Sequence, residues 1–131
     1  MDVEAELSRI IINEASDQQI IVLKERNGQR SFPIIIGTME VFAIDRRLKG
    51  IKAPRPMTHD LLDRVIESLG AKIKKIVIND LKSHTFYATL HLSMNGRTFE
   101  IDCRPSDAIA LSVKSNTVIY VADHVFEKAS Q

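Results

Sequence analysis

The stretch from residue 86 to residue 103 constrains the fold more than any other part of the chain. Apolar and polar residues alternate from 86 to 93, and the same period of two returns from 98 to 103. The pair Asn95-Gly96, which favours a tight type I′ turn, separates the two runs. A period of two places one face of a strand in the core and the other in water. The stretch therefore predicts an antiparallel β-hairpin with one buried face.

Similar alternation predicts the remaining strands. A second pair, Asn27-Gly28, joins two further runs and predicts another type I′ turn. The strands predicted outside the first hairpin lie at residues 3–7, 19–25, 31–36, 73–81 and 118–121. The strand at 19–23 is also a candidate for pairing between subunits, so a homo-oligomer, a dimer or larger, is predicted.

Apolar residues at helical spacing predict three helices. The first begins near Thr38 and ends before Gly50, the second runs from Thr58 to Gly70, and the third begins at Pro105. Their predicted buried stripes are, in order, Val41, Ile44 and Leu48; Leu61, Leu62, Val65, Ile66 and Leu69; and Ile109, Leu111 and Val113. The order of elements predicts an α+β fold, a single compact domain of residues 1–131 with about three helices packed on a largely antiparallel sheet.

The composition excludes several classes of protein. The 131 residues suit one domain, and a net charge of +1 excludes a polycation that coats nucleic acid nonspecifically. Cys103 is the only cysteine, which excludes an internal disulfide and a cysteine-based zinc site, and its position on an apolar strand face predicts a buried, unreactive thiol. No stretch approaches the ~20 apolar residues of a membrane span. The acidic start has no signal-peptide core, so a cytoplasmic protein without membrane contact is expected.

Polar residues concentrate where strands or loops lead into the predicted helices. The candidates for chemistry among them are Glu40 at the first helix, Arg55, His59 and Asp60 at the second, and Asp102, Arg104, Ser106 and Asp107 at the third. If these junctions converge, carboxylates can hold divalent cations, a base can activate water, and a cation can stabilise developing charge. These are the requirements of phosphodiester cleavage.

The functional interpretation assigns roles to these residues. The predicted catalytic residues are His59, Asp60, Asp102 and Asp107, with His59 as the base. The predicted ligands of a Mg²⁺ or Mn²⁺ ion are Glu40, Asp60, Asp102 and Asp107. The predicted substrate-binding residues are Arg46, Arg47, Arg55, Arg104 and Ser106. Their spacing matches no compact metal-site motif, so the interpretation depends on convergence in the fold.

Each carboxylate also has a structural interpretation, which stays open at this point. An acid in a first helical turn satisfies free backbone donors and the helix dipole, a contribution of about 0.3–1 kcal/mol. Asp60 can pair with Arg64 one turn later, and Asp102 can pair with Arg104 on the same strand face. In these pairs the carboxylates hold the fold together and do no chemistry.

Two further residues are open to both interpretations. His59, in the first turn of a helix, is either a neutral imidazole that accepts a proton or a surface residue facing Asp63. Arg55 lies between Pro54 and Pro56, so it either grips an anion from a stiff loop or pairs with a nearby aspartate.

A basic run ends the first helix and continues into the proline loop. It contains Arg46, Arg47, Lys49, Lys52 and Arg55 and no acid. Cations are favourable at a helix C-terminus, which explains part of the run. The rest is either a binding surface for a polyanion or a solvated face. Tyr87 and Tyr120 are too isolated to predict a base-stacking platform.

Five blocks of the sequence carry a family resemblance. They are PIIIG at 33–37 with Glu40, PRPMTHDLL at 54–62, TFYATL at 85–90, IDCRPSDAIAL at 101–111 and IYV at 119–121. In order and approximate spacing they resemble the bifunctional nuclease domain family of bacteria and plants. The resemblance covers nearly the whole chain and implies a compact α+β domain that acts as a nuclease on DNA and RNA. It supplies no set of catalytic residues.

Three features depart from the family pattern. Some relatives carry an insertion where Asn95-Gly96 makes a tight turn, some carry a C-terminal interaction segment beyond the position of Gln131, and Cys103 stands where a small residue is usual. The leading hypothesis is a divalent-metal-assisted nuclease acting on nucleic acid. The alternative is a non-enzymatic oligomeric adaptor or anion-binding module, in which the acids cap helices and the arginines form structural pairs.

Overall fold

A computed structural model of the protein describes residues 1–129, and its elements follow the predicted order. The strands are β1 (Asp2–Ile11), β2 (Gln18–Glu25), β3 (Ser31–Gly37), β4 (Lys72–Lys82), β5 (Thr85–Met94), β6 (Arg97–Cys103) and β7 (Ile119–Ala122). The helices are α1 (Thr38–Leu48), α2 (Thr58–Ser68), α3 (Pro105–Ser115) and α4 (Asp123–Ala129). The predicted α+β class is confirmed. The fourth helix was not predicted, because its seven residues are too few to show helical periodicity.

All seven strands belong to one sheet with the order β3-β2-β1-β7-β4-β5-β6. Neighbouring strands are antiparallel except β4 and β7, which are parallel. β2 lies between β3 and β1, so the prediction that residues 19–23 pair between subunits is wrong. The outer strands of the sheet are β3 and β6.

The two predicted type I′ turns have different outcomes. Asn95 and Gly96 have φ angles of 52° and 76°, which is the left-handed backbone that this turn requires. Asn27 and Gly28 lie in a longer loop and do not have positive φ, so the type I′ turn predicted at this pair is wrong. A turn of the same kind instead joins β4 to β5 through Ser83 and His84, whose φ angles are 48° and 65°.

Aromatic contacts show that the sheet curls upon itself. The ring of Phe32 on β3 stacks on Phe86 of β5 with 5.3 Å between centroids, although four strands separate β3 from β5 in the sheet. Phe126 of α4 meets Phe32 edge-on at 5.2 Å and closes this side of the core. The curl brings the end of β3 close to the start of α3, which places the candidate site.

The helices differ in how much apolar surface they bury. α3 is the central helix, with Ile109 and Leu111 almost completely buried against the sheet. In α1, Arg47 takes the buried place that was predicted for Leu48, which is 52% exposed. In α2, Ile66 is the buried residue of the predicted stripe, and the other four lie at the surface: Leu61, Leu62, Val65 and Leu69. Within residues 1–129, no helix is long and apolar enough to cross a membrane.

A buried guanidinium joins the three main helices. The side chain of Arg47 in α1 is 1% exposed, and its Nε donates a hydrogen bond to the carbonyl oxygen of Ala110 in α3 at 2.6 Å. Its Nη1 and Nη2 bind the carboxylates of Asp60 and Asp63 in α2 at 2.6 and 3.1 Å. Asp60 therefore does not form the predicted pair with Arg64. The burial of Arg47 also disfavours its predicted role in substrate binding, which stays a prediction.

Replacing this guanidinium tests its structural role. The variant Arg47→Met keeps the volume but leaves two carboxylates and a carbonyl without their donor, so we expect the free energy of unfolding to fall by about 3 kcal/mol. Chemical denaturation measures this quantity. The matched control is Arg55→Met, because Arg55 is exposed and makes no ion pair within residues 1–129, and it should change stability by less than about 0.5 kcal/mol. Equal effects of the two variants would contradict the assignment.

Candidate functional site

The N-termini of α1, α2 and α3 meet around one arginine. Arg104, the residue that precedes α3, binds Asp107 through two hydrogen bonds of 2.9 Å, from Nε to Oδ2 and from Nη2 to Oδ1. Its Nη1 binds Oε2 of Glu40 in the first turn of α1 at 3.1 Å. Nε2 of His59, in the first turn of α2, lies 3.0 Å from Oδ1 of Asp107. We call Glu40, His59, Arg104 and Asp107 the Arg104 cluster.

Gly37 permits Glu40 to reach this cluster. It precedes α1, and a Cβ atom at this position would collide with Oε1 of Glu40, because the carboxylate folds back over the start of the helix. A side chain at position 37 would therefore displace the Glu40 carboxylate, whereas the φ of −76° places no restriction on the residue there. This links the first sequence block to the position of Glu40.

The charges of the cluster fix the protonation of Asp107 and the tautomer of His59. Burial alone would raise the pKa of Asp107, but the guanidinium of Arg104 and the imidazole of His59 outweigh it and lower this pKa below its ordinary value. Asp107 is therefore ionised at neutral pH and accepts the Nε2 proton of His59. In a neutral imidazole this leaves Nδ1 without a proton, so that Nδ1 can act as a base.

Asp60 lies outside the cluster, although it neighbours His59 in the chain. One of its oxygens binds Arg47, and the other lies 3.2 Å from Nη2 of Arg46 and accepts the backbone N–H of Met57 at 3.0 Å. Burial would raise the pKa of Asp60, but the Met57 N–H and the guanidinium of Arg46 lower it. These contacts favour a role for Asp60 in holding α2 in place.

Asp102 also lies apart from the cluster. It is exposed on the outward face of β6, opposite Thr89. Arg104 pairs with Asp107 and Glu40, so the predicted pair of Asp102 with Arg104 is wrong.

The remaining predicted substrate-binding residues lie in different surroundings. Ser106, the second residue of α3, is buried and lines a cavity next to Arg104. Arg46 is mostly buried and donates from Nη1 to the carbonyl oxygen of Ile51 at 3.2 Å. Arg55 is exposed and, within residues 1–129, has no acidic partner. Of these residues Arg55 is the cation most available to an anion in solution.

The predicted carboxylate ligands do not form one cage. Within residues 1–129, no group of three or more histidine, cysteine, aspartate or glutamate side chains is arranged to hold a metal ion. Arg104 already forms ion pairs with Glu40 and Asp107, and Arg47 forms one with Asp60, so each of these carboxylates has a protein partner. The arrangement therefore does not fit a preformed divalent-cation site, and metal assistance stays a prediction.

Two cavities flank the cluster, and both are lined by Glu40 and Arg104. The larger, of about 730 Å³, lies between β3, the turn from β4 to β5, and the start of α3, with His84 and Lys128 at its rim. The smaller, of about 360 Å³, lies between α1, the loop that follows it and the start of α2. Its apolar wall is formed by Met39, Phe42, Ile51 and Met57. This wall was not predicted, although Met39 and Phe42 lie off the apolar stripe predicted for α1.

Cys103 directly precedes Arg104 in the chain, and its environment disfavours the reactive thiolate. Its burial, together with the negative charges of Asp107 and Asp102, raises the pKa of the thiol to about 11. The thiol is therefore protonated at neutral pH, which agrees with the predicted low reactivity, but Cys103 is half-buried and not buried as predicted.

The ionisation of Asp107 predicts a pH dependence of stability. Because its folded-state pKa lies below the unfolded value of about 3.9, its stabilising contribution is complete above that value and is lost as the pH falls through the folded-state pKa. The Tm difference between the wild type and Asp107→Asn should thus be largest above about pH 5 and shrink towards about pH 2. Thermal unfolding across this range tests it, with Asp102→Asn as the control. A difference that stays constant with pH would contradict the assignment.

Comparison with known proteins places the chain in a family. The bifunctional nuclease domain family matches residues 21–131. The uncharacterized protein Rv1829 of Mycobacterium tuberculosis is 36% identical over 126 residues, which cover 96% of this chain and 75% of that protein. Bifunctional nuclease 1 of Oryza sativa subsp. japonica is 25% identical over 84% of this chain and 34% of its own length. Bifunctional nuclease 1 of Arabidopsis thaliana is 27% identical over 77% of this chain and 32% of its own length. The resemblance carried by the five sequence blocks is thus confirmed: the chain belongs to the bifunctional nuclease domain family.

Proposed function

We propose that this chain hydrolyses phosphodiester bonds of DNA or RNA at the Arg104 cluster. The observation that carries the proposal is the contact between His59, Asp107 and Arg104 at the meeting point of three helix N-termini. Free backbone N–H groups at helix N-termini favour anions, and a guanidinium suits the oxygens of a phosphate. Family membership supports the assignment, because the plant relatives are named bifunctional nucleases.

The geometry supports acid–base hydrolysis. Nδ1 of His59 takes a proton from water as the water oxygen attacks phosphorus. The bond to the leaving sugar oxygen then breaks, and the imidazolium returns the proton to that oxygen. Arg104 binds the phosphate oxygens and stabilises the charge that develops on them. Asp107 is a positioning residue, because it holds the imidazole in one tautomer and stabilises its charged form.

Assistance by Mg²⁺ or Mn²⁺ is a second possible mechanism for the same reaction and is tested separately. A metal ion would need Arg104 to release Glu40 and Asp107, since these are the carboxylates nearest to the base. Asp60 is held by Arg47, and Asp102 lies on the outward face of β6. The described residues thus favour a mechanism in which the guanidinium provides the positive charge.

The alternative function is a non-enzymatic, oligomeric adaptor or anion-binding module. The observation in its favour is the apolar surface of α2, where Leu61, Val65 and Leu69 are 56%, 45% and 68% exposed. Contiguous apolar surface of this kind is typical of a contact with another protein. A homo-oligomer formed through α2 is compatible with both functions, because none of these residues lines either cavity.

Substitution of the base separates the two functions. The variant His59→Gln should lower the rate of cleavage of plasmid DNA and single-stranded RNA by about 10²-fold or more, because a general base contributes about 10²–10⁴-fold. The matched control is Asp102→Asn, which removes an exposed carboxylate outside the cluster and should keep wild-type activity. Both variants should keep the Tm of the wild type. Cleavage that is equal in wild type and His59→Gln indicates a contaminating nuclease and favours the adaptor.

The same assay tests the metal. Wild-type cleavage that survives a chelator supports the guanidinium mechanism. Cleavage that stops with the chelator and returns with Mg²⁺ or Mn²⁺ supports the metal-assisted prediction.

Arg55 provides a test of nucleic-acid binding that does not depend on cleavage. If its guanidinium neutralises one phosphate of a single strand, Arg55→Gln should make the slope of log Kobs against log salt concentration shallower by about 0.7. Fluorescence anisotropy at several salt concentrations measures the slope. The control is Arg97→Gln, an exposed arginine at the opposite end of β6 from Arg104, which should leave the slope unchanged. An unchanged slope in Arg55→Gln would remove Arg55 from the interface.

A further inference from the structure

We propose that the smaller cavity beside the Arg104 cluster is a subsite for an unpaired nucleobase, so that the substrate class of this site is single-stranded nucleic acid. The inference rests on the proposed function and specifies it. It is carried by an exposed apolar wall that contains Phe42 and lies next to Arg104.

The apolar wall of this cavity is exposed to solvent. Met39, Phe42, Ile51 and Met57 are 73%, 47%, 55% and 48% exposed. A single exposed apolar side chain is ordinary, but four that line one groove form a surface with a binding role. They come from α1, the following loop and the residue before α2, so the fold gathers them from separate parts of the sequence.

The chemistry of the wall suits a flat ring. Phe42 offers an aromatic face, and the flexible thioether side chains of Met39 and Met57 can adapt to a ring placed against it. Stacking on an aromatic residue accepts any base, because every base has a π-face. This tolerance agrees with a site that acts on both kinds of nucleic acid.

The charges around the wall suit the phosphates on either side of that base. Arg46, His59 and Arg104 line the same cavity as Phe42. The carboxylates of Glu40 and Asp45 also line it, and each is paired with a cation, Arg104 and Lys49 respectively. The loop that carries Ile51 also carries Lys52 and Arg55, which are exposed and make no ion pair within residues 1–129. A ligand that fits must therefore join an apolar flat ring to neighbouring anions, which is the chemistry of a nucleotide within a strand.

The size and shape of the groove favour a single strand over a duplex. Its volume of about 360 Å³ is at the small end of ligand sites, which hold about 300–1,000 Å³. Bases of a duplex are stacked on one another, so a base can stack on Phe42 only after it leaves the duplex stack, at an energetic cost. A base of a single strand avoids most of this cost.

A second copy of this chain is the competing occupant. The exposed apolar residues of α2, such as Val65 and Leu69, line neither cavity, so subunits can associate through α2 and leave the groove open. The cationic loop next to the groove also favours a polyanion over another copy of this chain, whose net charge is +1.

The test compares two labelled probes with the same phosphates: a short oligothymidylate and its abasic counterpart. Fluorescence anisotropy at low temperature, which limits cleavage, measures the affinities of both probes. Gel electrophoresis checks that the probes stay intact. The wild type should bind the oligothymidylate roughly tenfold more tightly than the abasic strand. Phe42→Ala should abolish this difference without weakening the abasic probe, and Phe42→Tyr should retain it. The matched control is Phe99→Ala, because Phe99 is a 37% exposed aromatic residue of β6 that lines neither cavity.

Four results would overturn the subsite. The first two are equal binding of the two probes by the wild type and equal weakening of both probes by Phe42→Ala. The third is tighter binding of a duplex than of the single strand. The fourth is a change of oligomeric state in Phe42→Ala, measured by light scattering, that leaves binding of the probes unchanged. The cleavage assay with His59→Gln is independent of these measurements. Base discrimination without cleavage would support the subsite and remove the hydrolytic function, whereas cleavage without base discrimination would do the reverse.

Discussion

The position of α2 depends on the buried guanidinium of Arg47. α2 buries little apolar surface, with Ile66 as its one buried residue, so the hydrophobic effect alone holds it weakly. Arg47 provides the further attachment of α2, because it binds Asp60 and Asp63 of α2 and a carbonyl oxygen of α3. These bonds fix the rotation of α2 about its axis. That rotation brings His59, which precedes Asp60 in the chain, within hydrogen-bond distance of Asp107.

The carboxylates at the helix starts therefore divide into two groups with different partners. Asp60 faces the interior and binds arginines of α1, so its charge positions a helix. Asp107 and Glu40 bind Arg104, which lines both cavities, so their charges position a guanidinium that solvent can reach. Both kinds of acid lie in a first helical turn, and both suit the helix dipole equally well. Position within the turn therefore does not determine which arginine an acid binds; the tertiary structure determines it.

This division explains how far the sequence could be interpreted. The strands, three helices and the Asn95-Gly96 turn follow from local patterns, and convergence of the α1, α2 and α3 starts places Glu40, His59, Arg104 and Asp107 together. The predicted ion pairs were wrong where the partner is set by tertiary structure. Asp60 binds Arg47 of α1 and not Arg64, which lies one turn away on its own helix. Periodicity likewise predicted the apolar stripe of α2, but a periodic pattern does not show whether another element covers the stripe, and most of it is exposed. The same Asn-Gly pair made a tight turn at one site and not at residues 27–28, where Lys24 donates to the carbonyl oxygen of Gly28 at 2.8 Å and supports a longer loop.

The strengths of the two ion pairs of Arg104 suggest how the cluster accommodates an anion. Arg104 and Asp107 form a bidentate pair, which is the stronger and more directional geometry. Arg104 and Glu40 share a single bond, and the arginine side chain is 61% exposed, so this contact contributes no more than about 1 kcal/mol. A phosphate oxygen can therefore take the place of Glu40 at little cost while Asp107 keeps the guanidinium and the imidazole in position. Glu40 then holds Arg104 beside both cavities when no anion is bound, and Gly37 leaves room for the carboxylate in that position.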